Sequence, residues 1–368
     1  MLKVGITGQV GFVGTHLYNN LGLELEKFDR ITFKDDYFDD FSALKSFVKQ
    51  CDVIVHLAAM NRHESEQVIY DTNIHLVKML IAAMDAEKVT PQILFSSSTQ
   101  EECNNFYGKS KKEGRKMFEQ WAESKGASFT GLVVPNVFGE FSKPNYNTFI
   151  STFAYKLING EQPIVQVDNK VNLIYVGSLC KFIISQFGKK GIRKVNVPFD
   201  FERRVTDVLY LFEKYKALYF EQGIIPELKD VNEVNLFNTF RSFIPPRIAK
   251  LVLHADQRGV FVETIKLGIG GQVSFSTTIP GITRGNHYHT RKIERFTVIK
   301  GKALIQLRKI GTNNVFNFYL DGKEPSYVDM PIWYTHNIKN IGEDELYAQF
   351  WINEWYNPAD SDTYFEMV

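Results

Sequence analysis

The spacing of apolar positions changes character partway along the chain. In the first half, continuous apolar runs alternate with helical patterns. Lys3–Thr7 reads as a strand, a glycine-spaced turn follows, and His16, Leu17 and Leu21 then fall at helical spacing. Lys27–Phe33 is a second strand candidate, and Cys51–Ala59 (CDVIVHLAA) is apolar almost throughout, as in a sheet covered on both faces. Asp71–Leu80 has the pattern of an amphipathic helix, Gln92–Phe95 that of a buried strand, and Ser128–Val134 that of another. Strands alternating with helices predict an α/β region built on a doubly wound parallel sheet. After Asn136 short helical and strand patterns mix, until Pro245 and Pro246 interrupt both. From Leu251 onward, short alternating strands separated by glycine turns predict an all-β sandwich or barrel. The expected domains are therefore 1–245 and 246–368, and 368 residues is more than one core usually supports.

Bulk properties narrow the function. Lys and Arg number 43 against 42 Asp and Glu, a net charge of +1, so neither nucleic acid nor an anionic membrane is an expected partner. The most apolar long run, Val171–Phe187, contains Asn172 and Lys181 and is too short and polar to span a bilayer. MLKVGIT opens directly on a strand pattern, so no signal peptide is expected. Cys51, Cys103 and Cys180 are odd in number and far apart, which argues against a disulfide framework and fits a reducing cytoplasm.

Two stretches of the first half carry chemistry. In FSSSTQEECNNFYGKSK, Ser96, Ser97 and Ser98 end a strand, and Tyr107 and Lys111 are one helical turn apart. An ammonium beside a phenol favours the phenolate, which would let Tyr107 act as a general acid or base while a serine hydroxyl holds a carbonyl. Earlier, Gly8, Gly11 and Gly14 in GQVGFVG join a strand to a helix, a cradle for a pyrophosphate. Asp29 and Arg30 are expected near an adenosine ribose; the guanidinium suits a 2′-phosphate and hence NADPH, with Lys34 a further candidate. Ala58 and Ala59 leave space for something flat, whereas His56 reads as a hydrogen-bonded core residue. Asn73 is placed to tie the catalytic strand.

These pieces together resemble the extended short-chain dehydrogenase/reductases that act on nucleotide sugars: GQVGFVG at 8–14, HLAA at 56–59, Asn73, SSS at 96–98, YGKSK at 107–111 and PNVFG at 135–139. The resemblance implies a Rossmann-like fold with the cofactor held by Gly8, Gly11, Phe12, Val13, Gly14, Asp29, Arg30, Leu57, Ala58, Ala59, Asn73, Tyr107 and Lys111. It implies Tyr107 as acid, Lys111 on the nicotinamide ribose, Ser98 on the ketone, and Asn136 in the sugar-nucleotide pocket. Only eight residues separate Ser98 from Tyr107, which leaves Ser97 and Thr99 open as alternatives to Ser98.

In the second half, His287 and His289 are two apart and share one face of a strand, with Glu294 and His336 further on. Three imidazoles and a carboxylate suit a borderline divalent metal such as zinc, with iron, manganese and nickel open as alternatives. The spacing Gly281, His287, His289, Glu294, Gly301 and the later Pro331, His336, Asn340 resemble the two cupin motifs, with Trp333 in place of a glycine. That implies a jelly-roll domain. DQRGVFVE at 256–263, with Arg284 and Gly285 before His287, is similar to the sugar-epimerase branch of the cupins; Lys292 and Tyr334 are candidates for proton transfer.

The two halves fit one ketone, which acidifies C3–H and C5–H until reduction removes that acidity. The combination resembles reductase–cupin fusions of capsular polysaccharide synthesis. It implies a homodimer acting on a UDP-linked 4-keto-6-deoxy amino sugar: C3 epimerisation, then NADPH-dependent C4 reduction to UDP-2-acetamido-2,6-dideoxy-L-talose, towards UDP-N-acetyl-L-fucosamine.

Overall fold

The computed structural model describes residues 1–257 and 259–368; Arg258, within the DQRGVFVE stretch, lies outside them. The chain divides into two compact units, Met1–Thr152 with Val167–Val205, and Phe153–Gln166 with Thr206–Val368.

The first unit contains β1 (Leu2–Thr7), α1 (Phe12–Leu21), β2 (Phe28–Ile31), α2 (Phe41–Gln50), β3 (Val53–His56), α3 (Glu66–Glu87), β4 (Gln92–Ser98), α4 (Phe106–Lys125) and β5 (Phe129–Val134). After β6 (Asn136–Phe138) and α5 (Phe149–Ile158), which belongs to the second unit from Phe153 on, come β7 (Lys170–Tyr175), α6 (Val176–Ile184), β8 (Ile192–Asn196) and β9 (Phe201–Arg204). Six strands pair in parallel in the order β2-β1-β3-β4-β5-β8, so the expected doubly wound sheet is present. Alternate residues feed two cores. Ile54, Ile93 and Phe95 join Phe47 and Phe118 on one face, while Val53, Val55 and Leu94 join Leu17 and Leu179 on the other. Burial on both sides is why these strands read as unbroken apolar runs. The strand order reverses between β1 and β3, which opens a crevice at their carboxyl ends. A smaller sheet, β6-β7-β9, follows.

The second unit begins with helical segments, including α7 (Val205–Tyr215) from its second residue and α8 (Val231–Arg241). Then come β10 (Ile248–Lys250), β11 (Leu253–Asp256), β12 (Gly259–Val262), β13 (Gln272–Thr278), β14 (Thr283–Tyr288) and β15 (Glu294–Lys300). The chain continues with β16 (Lys302–Lys309), β17 (Val315–Asp321), β18 (Ser326–Met330), β19 (Tyr334–Asn340), β20 (Leu346–Ile352) and β21 (Tyr364–Phe365). Two five-stranded sheets, β10-β18-β15-β20-β13 and β17-β16-β19-β14-β21, share one core that includes Phe296, Val328 and Ala348 from the first and Ile305, Leu320 and Ile338 from the second. This is the expected jelly roll. α8 is buried on nearly all sides, and Asn238 Nδ2 donates to Arg291 O at 3.1 Å, so the helix docks on the β-rich part of its unit.

Candidate active site and candidate metal centre

The glycine turn after β1 is fixed by close approach. Gly8 has φ +70°, and a Cβ on it would lie 2.9 Å from Ala58 N; a Cβ on Gly14 would lie 2.1 Å from Gly8 O. Side chains at either point would push α1 off the sheet. Gly11 precedes α1 with no side-chain cap, leaving the first-turn amides for an anion. Phe12, Val13, Leu57, Ala58 and Ala59 are half-buried around the turn. His56 is core: its Nδ1 lies 2.8 Å from Thr7 Oγ1, and burial, aided by the charge of Lys111, lowers its pKa to about 3.

Asp29 and Arg30 do not reach this edge. They pair with Lys3 and Val4, whereas β1 runs on to Thr7. The Arg30 guanidinium lies 4.3 Å from the Tyr18 ring centroid and donates to Tyr18 O at 3.1 Å. The chain beyond β2 carries exposed Thr32 and Lys34, with Phe33 N donating to Gln9 Oε1 at 3.1 Å. Lys34 is thus the cation placed beyond the strand end.

β4 and α4 bring the serines, Tyr107 and Lys111 together. Lys111 is buried, and its Nζ donates to Ser96 O at 2.9 Å while lying 5.7 Å from the Tyr107 ring centroid. The three hydroxyls have different partners: Ser96 Oγ donates to His56 O at 3.2 Å, Ser97 Oγ to Glu101, and Ser98 Oγ accepts from Gln100 N at 3.2 Å. Strand alternation turns Ser97 inward and leaves Ser98 half-exposed, with Thr99 exposed beyond the strand. The short connection to Tyr107 is accommodated by Gly108, where a Cβ would lie 2.0 Å from Gln100 O. Asn73 Oδ1 accepts from Met60 N at 2.7 Å, and its Nδ2 donates to Ser110 Oγ at 3.0 Å. It therefore ties the loop after β3 to α4 rather than to the strand itself. Asn136 is exposed, its Nδ2 3.4 Å from Asn172 O.

The Tyr107 phenol is raised, not lowered as its spacing from Lys111 suggests. Burial, then Tyr146, pushes the phenol up to about 12, while burial lowers the ammonium to about 8. Desolvation is the leading cause of both shifts. A phenol held protonated is the form a reduction requires, since the carbonyl oxygen must gain a proton.

Sequence reasoning missed the support beneath this site. Glu101 is 4% exposed and accepts from Arg115 Nε at 2.8 Å, Arg115 Nη2 at 3.0 Å and Lys194 Nζ at 3.2 Å, besides Ser97. It joins the turn after Ser98 to α4 and β8. The partners are fourteen and 93 residues away, so no local pattern marks them.

In the second unit the expected donor set converges. One ligand atom from each of His287, His289, Glu294 and His336 can be chosen so that all lie within 4.8 Å of one another. His287 and His336 are paired across β14 and β19 beside a bulge at Gly285/His287, and Glu294 opens β15 in the facing sheet. His289 Nδ1 lies 2.5 Å from Asp362 O, and His336 Nδ1 lies 3.2 Å from Tyr334 O. A carbonyl only accepts, so both Nδ1 atoms carry hydrogen and each neutral ring presents an Nε2 lone pair. Those Nε2 atoms lie 3.2 and 3.1 Å from the same oxygen, Glu294 Oε2. His336 Nε2 is buried with no properly directed hydrogen bond. A proton on the imidazole or a cation between the groups satisfies this arrangement, and three imidazoles and a carboxylate fit a divalent cation. Burial alone would raise the Glu294 carboxyl, but the neighbouring His289 and His336 hold it well below its usual range; burial lowers His287 to about 4. Lys292 is not free for proton transfer, its Nζ donating to Ser361 O at 2.5 Å. Trp333, replacing the motif glycine, keeps a left-handed φ of +60°. It donates to His289 O at 2.8 Å and stacks on Tyr288.

The model of the NAD dependent epimerase/dehydratase family matches residues 4–191, just over half of the chain. The chain belongs to that family. Its later part, residues 254–364, matches the polysaccharide biosynthesis C-terminal domain, so this family member carries a second module. It is 30% identical to the UDP-2-acetamido-2,6-beta-L-arabino-hexul-4-ose reductase of Pseudomonas aeruginosa, covering 99% of this chain and 98% of that one. Over 32% of the chain it is 27% identical to the spore coat polysaccharide biosynthesis protein SpsL of Bacillus subtilis, covering 83% of that protein. Among solved structures it is similar to the capsular polysaccharide assembling protein CapF of Staphylococcus aureus, with 32% identity, TM-score 0.57 and full coverage of both chains. No helix among the described residues is long and apolar enough to cross a membrane.

Proposed function

We propose that the chain is a cytoplasmic bifunctional nucleotide-sugar enzyme of polysaccharide synthesis, with one reaction centre in each half. Its substrate is a UDP-linked 2-acetamido-2,6-dideoxy-4-hexulose. The 246–368 module inverts C3, and the 1–245 module then reduces C4 with NADPH to UDP-2-acetamido-2,6-dideoxy-L-talose. This product leads towards UDP-N-acetyl-L-fucosamine for capsule. The observation that carries the reading is the coexistence on one chain of Lys111, one turn from Tyr107 and bonded to Ser96 O at the end of the serine strand, and a His287–His289–Glu294–His336 set. The names of the P. aeruginosa and S. aureus relatives support a UDP-sugar ketone and a capsular product.

Gly8, Gly11 and the first-turn amides of α1 would hold the pyrophosphate of the cofactor, which would supply the hydride. We assign its 2′-phosphate to Lys34 instead of Arg30, because Arg30 is committed to Tyr18. Ser98 orients the ketone, Tyr107 protonates its oxygen, Lys111 holds the nicotinamide ribose, and Asn136 contacts the sugar nucleotide. His287, His289, Glu294 and His336 would hold a zinc ion, which would supply Lewis acidity. Burial raises the Tyr334 phenol and keeps it in the proton-donor form. Epimerisation precedes reduction because the alcohol no longer acidifies C3–H. The chain acts as a homodimer, for which the exposed Val252, Leu253, Val260 and Phe261 and the edge strand β13, with Val273 and Phe275 exposed, supply an apolar surface for a second copy.

A second reading, in which the cupin only dimerises the reductase, is favoured by the commitment of Lys292 to Ser361. Ketosugar in deuterated water without NADPH separates the two. An epimerase incorporates deuterium at C3; a reductase with a structural cupin does not.

A further inference from the structure

The last residues of the chain touch the neighbours of every histidine in the metal set. Asn286 O accepts from Glu366 N at 3.0 Å, Tyr288 pairs with Tyr364 and stacks on it at 5.4 Å, and Thr335 Oγ1 donates to Glu366 O. The tightest contact is Asp362, 3% exposed and held at φ +43°. Its carboxylate accepts from Thr290 Oγ1 at 2.6 Å and from the backbone N–H groups of Thr290 (3.1 Å), Arg291 (3.0 Å) and Lys292 (3.1 Å). Its carbonyl lies 2.5 Å from His289 Nδ1. On either side, Arg291 bonds Asp360 at 3.0 Å and Lys292 bonds Ser361. One residue thus freezes the loop after His289 with its side chain and the imidazole tautomer with its main chain. Seventy-three residues separate the partners, so this is a folded-back strap and not a local turn.

We propose that this C-terminal strap, acting through Asp362, is the outer shell of the metal site and a positioning element for His289. The inference rests on the metal-binding reading above. A carboxylate that collects three consecutive amides fixes the backbone from which His289 projects, and a carbonyl on Nδ1–H keeps Nε2 aimed inward and more basic. Losing the carboxylate frees the loop and lets the imidazole turn away.

The test uses the full chain and Co²⁺ as the probe. Asp362→Ala is expected to weaken Co²⁺ binding in a chelator competition by tenfold or more, to shift the Co²⁺ d–d spectrum, and to abolish exchange protection of the Thr290–Lys292 amides. Asp362→Asn, which retains one acceptor oxygen, should recover part of both. His336→Ala should lose Co²⁺ binding yet keep amide protection, separating strap from metal. Co²⁺ affinity and spectrum unchanged in Asp362→Ala would overturn the proposal. If the wild-type chain takes up no Co²⁺, the metal reading itself fails, and the exchange data then decide whether the strap orders the histidine loop.

Discussion

Glu101→Gln tests whether the buried network under Ser98 holds the reductase site together. Burial alone would raise the Glu101 carboxyl; hydrogen bonds from Arg115 and Ser97, the Arg115 charge and Lys194 overcome that and pull it down to about 2 from 4.5. At about 1.4 kcal/mol per unit, the fold favours the carboxylate by about 3 kcal/mol over the unfolded chain. The sign follows from linkage: a carboxyl lowered by folding contributes its stability above its unfolded value, and that contribution drains as pH falls from about 4.5 to about 2. Gln keeps the shape but has one acceptor oxygen and brings donors to face Arg115 and Lys194. Its substitution should therefore cost on the order of 3 kcal/mol at pH 7 and about half of that at pH 3. Hydrogen exchange of peptides spanning β4 and α4 reads this locally, with a matched fall in kcat for ketone reduction. A gap between wild type and variant that stays the same from pH 7 to pH 3 would refute the reasoning.

Three further outcomes follow from the same geometry. Tyr107→Phe should lower kcat for ketone reduction by a factor of about 10²–10⁴ while cofactor KM changes little; NADPH oxidation at the wild-type rate would remove Tyr107 from the chemistry. Burial lowers Lys111 to about 8, so its ammonium is lost as pH rises through that value, although the folded chain gains relative stability from there to 10.5. The reductase kcat/KM should thus decline above pH about 8, and a profile level to pH 10 would contradict the assignment. Trp333→Gly relieves left-handed strain of about 1–2 kcal/mol but vacates a buried indole site worth about 3–5 kcal/mol. A net loss of about 2–3 kcal/mol is expected in urea unfolding of the second unit, and a stabilised variant would show that the turn, not the packing, dominates.

What could be read from the chain was whatever local spacing encodes. β1, β3, β4 and β5 were legible because the sheet is covered on both faces, and the HxH, Glu and His positions because a jelly roll sets their spacing. Register was not legible: Arg30 is near the end of β2, yet it pairs with Val4, below the crevice, and turns to Tyr18. β3 ends at His56 and not Ala59 because Ala58 must leave the ladder to pack on Gly8. α3 runs over Glu66–Glu87, beyond the repeat read at 71–80: Ile69 before it and Ala83 and Met84 after it are buried as well. Glu101 and Asp362 carry no signature, since each acquires its partners only when distant segments meet. The reversed Tyr107 shift has the same origin: spacing gives proximity to Lys111, but burial decides which protonation state is favoured.

The central claim is that one ketone serves two reactions in order, and isotopic labelling tests it most directly. The wild-type chain is given the UDP-4-ketosugar in deuterated water, without cofactor and then with NADPH, and separately in ordinary water with NADPH deuterated at C4. The account predicts solvent deuterium at C3 before any NADPH is added, and one cofactor deuterium at C4 for each NADPH oxidised. A sugar recovered without label at C3, or a ketone that consumes no NADPH, would contradict it.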